Sequence, residues 1–259
     1  MTRLASGLVL AVLVAAGGAV PARAAPKAFA CTAPRDVIRL NARLANTARA
    51  IRRGDGLVIV AVGSSSTEGV GASDRAHAYP ARLARELRLR WPRLRLRVVN
   101  SGVGGETADQ MLARFEDDVM AYAPQLVIWQ VGSNSVVRSV AMDRYVATVR
   151  EGIARLKAAG ADVVLMDPQY APVVVAKPLH QRMVNAMHAL ANDLKVGLFQ
   201  RYAVMRHWVA RDGVQMEQIV SRDRLHMNDA SYGCIARLLA DAVTSAAREP
   251  PATLTVQAP

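Results

Sequence analysis

The stretch that most constrains this chain is an apolar run that ends abruptly in hydroxyl side chains. Residues 58–62 read Val-Ile-Val-Ala-Val, and Gly63 is followed by three serines and Thr67. Five apolar residues without polar alternation are typical of a strand buried on both faces, as in a parallel sheet. Ligands of open α/β sheets bind outside the carboxyl ends of the strands. The serine cluster therefore either serves chemistry or caps the next helix.

The rest of the chain alternates between helical and extended patterns. Helices are predicted over 34–53, 80–91, 108–121, 142–159, 179–194 and 230–248. Strands are predicted over 58–62, 94–99, 126–130, 162–166 and 196–199. Strands that alternate with helices of this length form a parallel sheet covered on both faces. The predicted fold is α/β, a three-layer α/β/α sandwich with a flavodoxin-like parallel sheet of about five strands.

The strand at 94–99 differs from the others in its pattern. Leu94, Leu96 and Val98 alternate with arginines. Such alternation predicts a strand that is half exposed, as at the edge of a sheet.

The N-terminus has the pattern of a secretory signal. Arg3 precedes an apolar segment over 7–16, and Pro-Ala-Arg-Ala follows at 21–24. A charged start, a short apolar core and a small-x-small site predict a signal peptide over 1–24. The apolar core is short for a transmembrane helix, although an uncleaved anchor is the alternative. The mature chain, 25–259, is predicted to be one domain with its core at about 57–248, located in the periplasm or secreted.

The chain has two cysteines, Cys31 and Cys234. In an oxidising compartment such a pair can form a disulfide, which here would join the start of the domain to its last helix. Closing so long a loop would stabilise the fold by about 4–5 kcal/mol. The alternative is that Cys234 is a small buried residue on a helix.

The charge balance is strongly basic, with 33 Lys and Arg against 21 Asp and Glu and a net charge of +12. The arginines are spread along amphipathic stretches, which indicates solvated faces. No basic motif with interleaved aromatic residues argues for nucleic acid as a partner. A weak attraction to anionic polymers of the cell envelope is consistent with the net charge.

Neither a metal nor a cofactor is predicted. His77, His180, His188 and His207 have no carboxylate or cysteine partner at the spacing of a metal site. The glycines at 102–105 lack the spacing of a dinucleotide-binding or Walker motif.

Polar residues of unusual type occur in four segments, three of them at predicted strand ends. These segments are 63–67, 100–107, 132–134 and 221–228. The carboxyl ends of parallel strands share one edge of the sheet, and the fourth segment can reach the same edge. Asp223 and His226, three residues apart, can hydrogen-bond so that the carboxylate fixes the imidazole tautomer. A serine, this base and the donors of a glycine-rich turn and an asparagine suit nucleophilic acyl transfer.

The four segments, in this order, resemble the sequence blocks of the SGNH (GDSL-type) hydrolase family of serine esterases and lipases. The Gly-Asp-Ser block of the family corresponds to Gly63-Ser64-Ser65. The glycine of the second block corresponds to Gly105 and the asparagine of the third block to Asn134. The Asp-x-x-His block corresponds to Asp223 and His226. The resemblance implies Ser65 as nucleophile, His226 as base and Asp223 as its partner. It also implies an oxyanion hole formed by the backbone N–H groups of Ser65 and Gly105 and the side-chain amide of Asn134.

The resemblance covers about 57–245 and has two departures. Ser64 replaces the usual aspartate of the first block, and Ser135 replaces an acidic residue that often follows the third-block asparagine. The first departure leaves Ser64 and Ser66 as alternatives to Ser65 for the nucleophile.

The resemblance implies an exported, cofactor-independent serine ester hydrolase. Its expected substrates are small esters or acylated glycans with short acyl or acetyl groups. Two alternatives use the same fold. One is an acyltransferase that moves acetyl groups on glycans of the cell envelope, and the other is a non-catalytic binding module.

Several other side chains have competing interpretations. Glu106 is expected to lie at a helix N-terminus, where the dipole favours a carboxylate, although it could also contact substrate. Trp129 and Trp208 are expected to pack in the core or at the rim rather than to form a sugar platform. The segment 167–170 follows the fourth strand and is expected at the active edge, where it could line the substrate pocket.

Overall fold

The centre of the computed structural model, which describes residues 29–248, is a sheet of five parallel strands. In chain order they are β1 (Leu57–Gly63), β2 (Leu96–Gly102), β3 (Leu126–Gln130), β4 (Asp162–Met166) and β5 (Gly197–Phe199). Their order across the sheet is β2-β1-β3-β4-β5. This is the strand order of flavodoxin-like sheets. The predicted signal peptide at 1–24 lies outside the described residues, and the single domain over 25–259 stays a prediction.

Helices connect and cover the strands. In chain order they are α1 (Arg35–Ile38), α2 (Ala45–Arg53), α3 (Ser65–Glu68), α4 (Tyr79–Arg90), α5 (Ala108–Ala113), α6 (Phe115–Asp118), α7 (Ser133–Val137), α8 (Met142–Ala158), α9 (Pro172–Val175), α10 (His180–Leu194), α11 (Arg201–Ala210) and α12 (Asp229–Arg248). Pro80 lies in the first turn of α4, where its missing N–H costs nothing. Over residues 29–248, no helix combines the length and the apolar composition needed to cross a bilayer.

The two faces of the sheet bury separate apolar cores. Ile59 and Ala61 of β1 pack with α2, α4, α11 and α12, whereas Val60 and Val62 pack with α5, α6, α8 and α10. Successive side chains of a strand point to opposite faces, so an uninterrupted apolar run fills both cores. The predicted three-layer α/β/α architecture is confirmed.

The half-exposed strand is the edge strand β2. Leu96 and Val98 are half-buried and pack on the core shared with α4 and α12, while Arg95 and Arg97 are exposed. The alternation of leucine and arginine therefore predicted the edge position correctly.

The helix predicted over 34–53 is wrong, because α1 and α2 are separate helices. The connection at 39–44 leaves the helical path so that Leu40 and Leu44 are buried. The carbonyl of Leu40 also accepts the backbone N–H of Leu198 at 3.2 Å, on the open side of edge strand β5. A continuous helix would leave that N–H without this acceptor.

Further elements differ from the prediction, among them the strand expected over 94–99, which is β2 at Leu96–Gly102. The helix expected over 108–121 is divided into α5, α6 and a 3₁₀ turn at Met120–Tyr122, because Arg114 leaves helical geometry to bond the ends of β1 and β2. Helix α11 was not predicted. Its apolar residues do not form one stripe, since Tyr202 and Trp208 are buried on a helix without a clear polar face.

Both tryptophans are core residues, as expected. The Trp129 ring packs edge-on against Phe115 at a centroid distance of 4.9 Å. The Trp208 ring packs against Phe29 at 4.9 Å and donates its indole N–H to the Thr32 carbonyl at 2.7 Å. Neither ring presents an exposed face for a sugar.

The two cysteines form the disulfide that the sequence favoured. Cys31 and Cys234 have a Cα–Cα distance of 5.3 Å and are 203 residues apart in sequence. The bridge attaches the segment before α1 to α12, and the Arg237 guanidinium donates to the Cys31 carbonyl beside it. A disulfide is consistent with an extracellular protein.

We expect the double variant Cys31→Ser/Cys234→Ser to unfold more easily than the wild type, by about 2–5 kcal/mol, because its unfolded chain is no longer cross-linked. Guanidinium unfolding followed by circular dichroism measures this difference. Dithiothreitol should lower the midpoint of the wild type and leave that of the double variant unchanged. A wild type insensitive to the reductant would contradict a stabilising bridge.

Candidate active site

The hydroxyl cluster lies where β1 ends. Ser64 is the N-cap residue of α3, and Ser65 is the first residue of that helix and is partly exposed. Gly63 is required here, because a Cβ at this position would lie 2.1 Å from Thr67 Oγ1 and 2.9 Å from Gln130 Oε1. The turn can therefore close tightly on the end of β3.

A single buried amide oxygen holds this turn. Gln130 is the last residue of β3 and has no exposed surface. Its Oε1 accepts the Ser64 backbone N–H at 3.1 Å, the Ser64 hydroxyl at 3.2 Å and the Thr67 hydroxyl at 3.1 Å. Three donors on both sides of Ser65 are thus fixed to the neighbouring strand.

The three serines have different surroundings. The Ser64 hydroxyl is buried against Gln130, and the Ser66 hydroxyl is buried in a hydrogen bond with Tyr232. The Ser65 hydroxyl instead lies 2.7 Å from His226 Nε2. Of the three candidate nucleophiles, Ser65 is the one next to a histidine.

The other ring nitrogen of His226 faces Asp223. The distance from His226 Nδ1 to Asp223 Oδ2 is 2.6 Å. Asp223 Oδ1 accepts the Ser221 hydroxyl at 2.7 Å and the backbone N–H groups of Leu225 and His226 at 2.9 Å each. Partial burial acts to raise the pKa of the Asp223 carboxyl, but these hydrogen bonds outweigh it and hold the pKa well below its usual range. The carboxylate is therefore ionised at neutral pH, so Nδ1 carries the proton and Nε2 can accept one from Ser65.

The histidine loop docks closely on the loop that follows α3. A Cβ on Gly71, whose φ is +91°, would lie 2.4 Å from the Met227 carbonyl oxygen and 2.9 Å from His226 Cβ. The Tyr232 hydroxyl donates to the Val70 carbonyl at 2.7 Å. Only glycine allows this approach, which sets the distance between His226 and Ser65.

The predicted oxyanion residues lie on two adjacent loops. A Cβ on Gly104 would lie 4.0 Å from Ser65 Cβ, so the loop after β2 passes beside Ser65. The Asn134 side-chain amide, in the first turn of α7, donates to the Glu106 carbonyl at 2.8 Å. Gly105 lies between these two contacts, with φ at +79°. The structure thus brings all five predicted site residues to one edge of the sheet.

Arg114 ties these loops together. Its guanidinium donates to the carbonyls of Gly63 at 3.2 Å and Ser101 at 2.9 Å and pairs with the Glu106 carboxylate at 2.7 Å. Glu106 precedes the N-cap residue Thr107 of α5, as expected for a helix start, but its partner is Arg114. Its carboxylate is therefore already engaged.

The segment after β4, which was expected at the active edge, is mostly buried. Asp167 and Gln169 are buried, and the partly exposed Tyr170 packs edge-on against Tyr202. Gln169 instead links two site loops, accepting the Ser133 hydroxyl at 2.7 Å and donating to the Leu225 carbonyl at 3.2 Å. The polar side chains of this segment therefore face the interior and serve to connect loops rather than to meet solvent.

Sequence reasoning missed the residues that hold the site together, above all Gln130, Gln169 and Arg114. The first two were detectable as amides at or shortly after the end of an apolar strand, since Gln130 ends β3 and Gln169 lies three residues after β4. Arg114 had no such signal, because it is one arginine among many.

The four histidines outside the site are not gathered around a common centre. His77 faces Asp74 at 2.7 Å, and His207 lies 3.5 Å from Asp212. Burial lowers the pKa of His188. Between residues 29 and 248, no group of three or more His, Cys, Asp or Glu side chains has the arrangement of a metal site.

Comparison with known proteins assigns the family. The model of the Non-GDSL lipase-like family matches residues 30–249. This chain belongs to that family.

Relatives in sequence and structure are carbohydrate esterases. The chain is 33% identical over 103 residues to an acetylxylan esterase of Geobacillus stearothermophilus, a match that covers 36% of this chain and 47% of that protein. This chain thus spans about half the length of that relative.

Two solved structures have a similar fold. A two-domain esterase active on acetylated mannans, co-crystallised with mannopentaose, superposes with a TM-score of 0.69 and 19% identity over 83% of this chain and 58% of that one. An acetylxylan esterase from Geobacillus stearothermophilus superposes with a TM-score of 0.63 and 22% identity over 73% of this chain and 94% of that one.

Two buried charged residues, Asp167 and Arg201, lie just after β4 and at the start of α11. Asp167 accepts the Tyr202 backbone N–H at 2.8 Å, and Arg201 Nε donates to the Asp167 carbonyl at 2.9 Å. Burial raises the pKa of the Asp167 carboxyl to about 7, although the Arg201 charge and the hydrogen bonds oppose the shift.

This raised pKa predicts a pH-dependent stability. The folded state retains the Asp167 proton up to about pH 7, whereas the unfolded chain releases it near its ordinary pKa of about 3.9. The contribution of Asp167 is therefore fully present at low pH and lost as pH rises from about 4 to 7. Denaturation of wild type and Asp167→Asn across this range should show the variant gaining stability relative to wild type with rising pH. A constant difference would contradict the shift.

Proposed function

We propose that this protein is an exported serine ester hydrolase of the SGNH type that removes short acyl groups, acetyl foremost, through a covalent acyl-enzyme. The observation that carries the proposal is the hydrogen-bonded series from Asp223 through His226 to the Ser65 hydroxyl, with distances of 2.6 and 2.7 Å. A serine, a base and a group that orients the base form the general arrangement for nucleophilic acyl transfer.

In the first half of the reaction, His226 Nε2 takes the Ser65 proton while Ser65 Oγ attacks the acyl carbonyl carbon. The resulting imidazolium is stabilised by the ionised Asp223 carboxylate. The imidazolium then gives its proton to the leaving alcohol oxygen as the ester bond breaks. In the second half, His226 deprotonates a water that attacks the acyl-enzyme, and returning that proton to Ser65 Oγ releases the acid.

The negative charge of the tetrahedral intermediate needs donors that are already in place. We assign this role to the backbone N–H groups of Ser65 and Gly105 and to the Asn134 amide. The Asn134 amide has two N–H bonds, one of which points to the Glu106 carbonyl. This contact leaves the second N–H for the substrate and fixes the plane of the amide.

Acetylated glycans are the substrate class that we favour. The similar proteins are described as an acetylxylan esterase and as an esterase active on acetylated mannans. Catalysis at an exposed edge of the sheet suits a polymer, because the serine is reached from solvent. No metal or cofactor is needed for the proposed steps.

Export is part of the proposal. It is supported by the predicted signal peptide at 1–24 and by the disulfide between Cys31 and Cys234. Disulfides persist in secreted and periplasmic proteins and are rare in the cytosol.

Replacing the proposed nucleophile gives the most direct test. We expect Ser65→Ala to lower the kcat for p-nitrophenyl acetate by roughly 10³-fold or more, with the fold unchanged, since no other hydroxyl contacts the base. Ser64→Ala and Ser66→Ala serve as matched controls and should retain labelling by a fluorophosphonate probe. Full activity of Ser65→Ala, or labelling at another serine, would refute the assignment, and no labelling at all would favour a binding module.

A second prediction concerns the buried amide that holds the turn. Gln130→Leu leaves three donors without their acceptor, at about 1–3 kcal/mol for each buried one. We expect kcat to fall about 10- to 100-fold with KM nearly constant, because Ser65 is no longer held against His226. The matched control is Gln125→Leu just before the other end of β3, where the side chain accepts the Val58 N–H at 2.9 Å. That variant should lose stability but not kcat, and equal kcat values for both would argue against a positioning role.

The substrate and the reaction type are tested together. Acetylated xylo-oligosaccharides, acetylated manno-oligosaccharides and p-nitrophenyl esters of increasing chain length are incubated with the enzyme, and released acetate is measured. Free acetate from the glycans is expected. Acetyl transfer to an added acceptor alcohol without free acetate would favour the acyltransferase alternative.

A further inference from the structure

The opposite end of the sheet carries a second cleft, with a volume of about 640 Å³. It lies between α2 and the amino ends of β1 and β2. Its lining includes Leu57, whereas the proposed nucleophile follows the other end of β1. A strand of seven residues separates the two places by about 20 Å.

The charges of this cleft are nearly all positive. Four arginines line it, with one acidic residue: Arg49, Arg53, Arg95 and Arg97 with Asp55. We call this the basic cleft. Two other clefts carry a smaller excess of positive charge, or none. One has two arginines and one acidic residue, with Arg90 paired to Asp241, and the other has two arginines and two acidic residues. The excess charge of the basic cleft is therefore a local feature and not simply the net charge of the protein.

The guanidinium groups of the basic cleft are partly fixed in position. Arg95 donates to the backbone carbonyl of Asp55 at 3.1 Å rather than to the Asp55 carboxylate. The Arg97 guanidinium lies over the Tyr122 ring, 5.0 Å from its centroid. Arg49 and Arg53 are four residues apart on α2 and share one face of that helix. Such preorganisation lowers the entropy lost when a ligand binds.

One partly buried carboxylate lies beside the basic cleft and offsets part of the charge of Arg49. The carboxylate of Asp162, beneath Arg49, is already bound by the Thr47 backbone N–H and hydroxyl, each at 2.8 Å. Asp55 is exposed at the cleft rim. Four positive charges thus face solvent with a single carboxylate among them.

We propose that the basic cleft binds a polyanionic polysaccharide, whose carboxylate or phosphate groups the arginines engage. Guanidinium groups bind both kinds of anion in a bidentate manner. A series of separated cations in an open cleft suits a polymer with repeated charges better than a single small anion. Stacking platforms for nucleic-acid bases are absent from its lining, because Arg97 covers the neighbouring Tyr122 ring.

The test compares two variants with the same change in net charge. In the cleft variant Arg49, Arg53, Arg95 and Arg97 are replaced by Gln. In the control variant the replaced residues are four exposed arginines outside the cleft: Arg85, Arg88, Arg182 and Arg206. Binding of polygalacturonate, of a glycerol-phosphate polymer and of neutral xylan is measured by isothermal titration calorimetry at low and high salt. Circular dichroism checks the fold.

We expect the cleft variant to bind the anionic polymers at least tenfold more weakly than wild type, and the control variant to stay within about twofold. Neutral xylan should not bind the cleft, and added salt should weaken the anionic complexes. Comparing the carboxylated and phosphorylated polymers identifies which anion is preferred. Equal losses in the two variants would overturn the proposal, as would tighter binding of single-stranded DNA than of either polysaccharide.

A single substitution provides an opposite test that does not depend on folding of the quadruple variant. Asp55→Asn removes the one carboxylate of the cleft and should strengthen polygalacturonate binding about twofold or more. Unchanged or weaker binding would contradict the proposal. Both quadruple variants should hydrolyse p-nitrophenyl acetate like the wild type. The binding experiment and the hydrolase assay therefore test the two proposals independently.

Discussion

The hydrogen bonds that meet at the Gln130 amide oxygen hold the rest of the site in place. They join the end of β1 to the end of β3 and fix the residues on both sides of Ser65. This buried oxygen accepts three hydrogen bonds, and another position of the turn would leave the buried donors without an acceptor, at a cost of about 1–3 kcal/mol each. The position of the Ser65 hydroxyl is therefore a property of the sheet, whose strand spacing is set by backbone pairing.

The same principle extends outward to the other loops. Arg114 joins the loops after β1 and β2, and Gln169 joins the Asn134 helix to the His226 loop. Gln169 is buried and Arg114 is partly buried, and each donates to a backbone carbonyl of a segment that it joins. Ser65 and His226, which are 161 residues apart in sequence, are thus held within hydrogen-bond distance.

The fold and the site differ in how far the sequence predicts them. Apolar runs and the polar residues that end them indicated the five strands, the position of β2 as the outer strand, and the residues that meet at the carboxyl ends of the strands. These features depend on local sequence patterns. The break between α1 and α2 was not predictable in this way, since it depends on a hydrogen bond between the Leu40 carbonyl and the backbone N–H of Leu198 in β5, which is distant in sequence. The supporting amides were missed for the same reason: their partners are distant in sequence.

The sequence also left the choice among three serines open. Ser64, Ser65 and Ser66 are chemically identical, and only the turn at Gly63 determines which hydroxyl faces His226. Local pattern placed the cluster at a strand end, but the direction of each side chain depends on backbone torsions that the pattern does not encode.

The link between Cys31 and Cys234 has a consequence for how the protein matures. The two sulfurs are separated by 203 residues, so the first thiol leaves a ribosome or an export channel long before the second. Covalent closure can only follow the emergence of α12 and is a late event in biogenesis. Since the chain contains just two cysteines, no mispaired bridge can form within one molecule. Within this sequence, joining the two thiols therefore needs an oxidant but no selection among alternative partners.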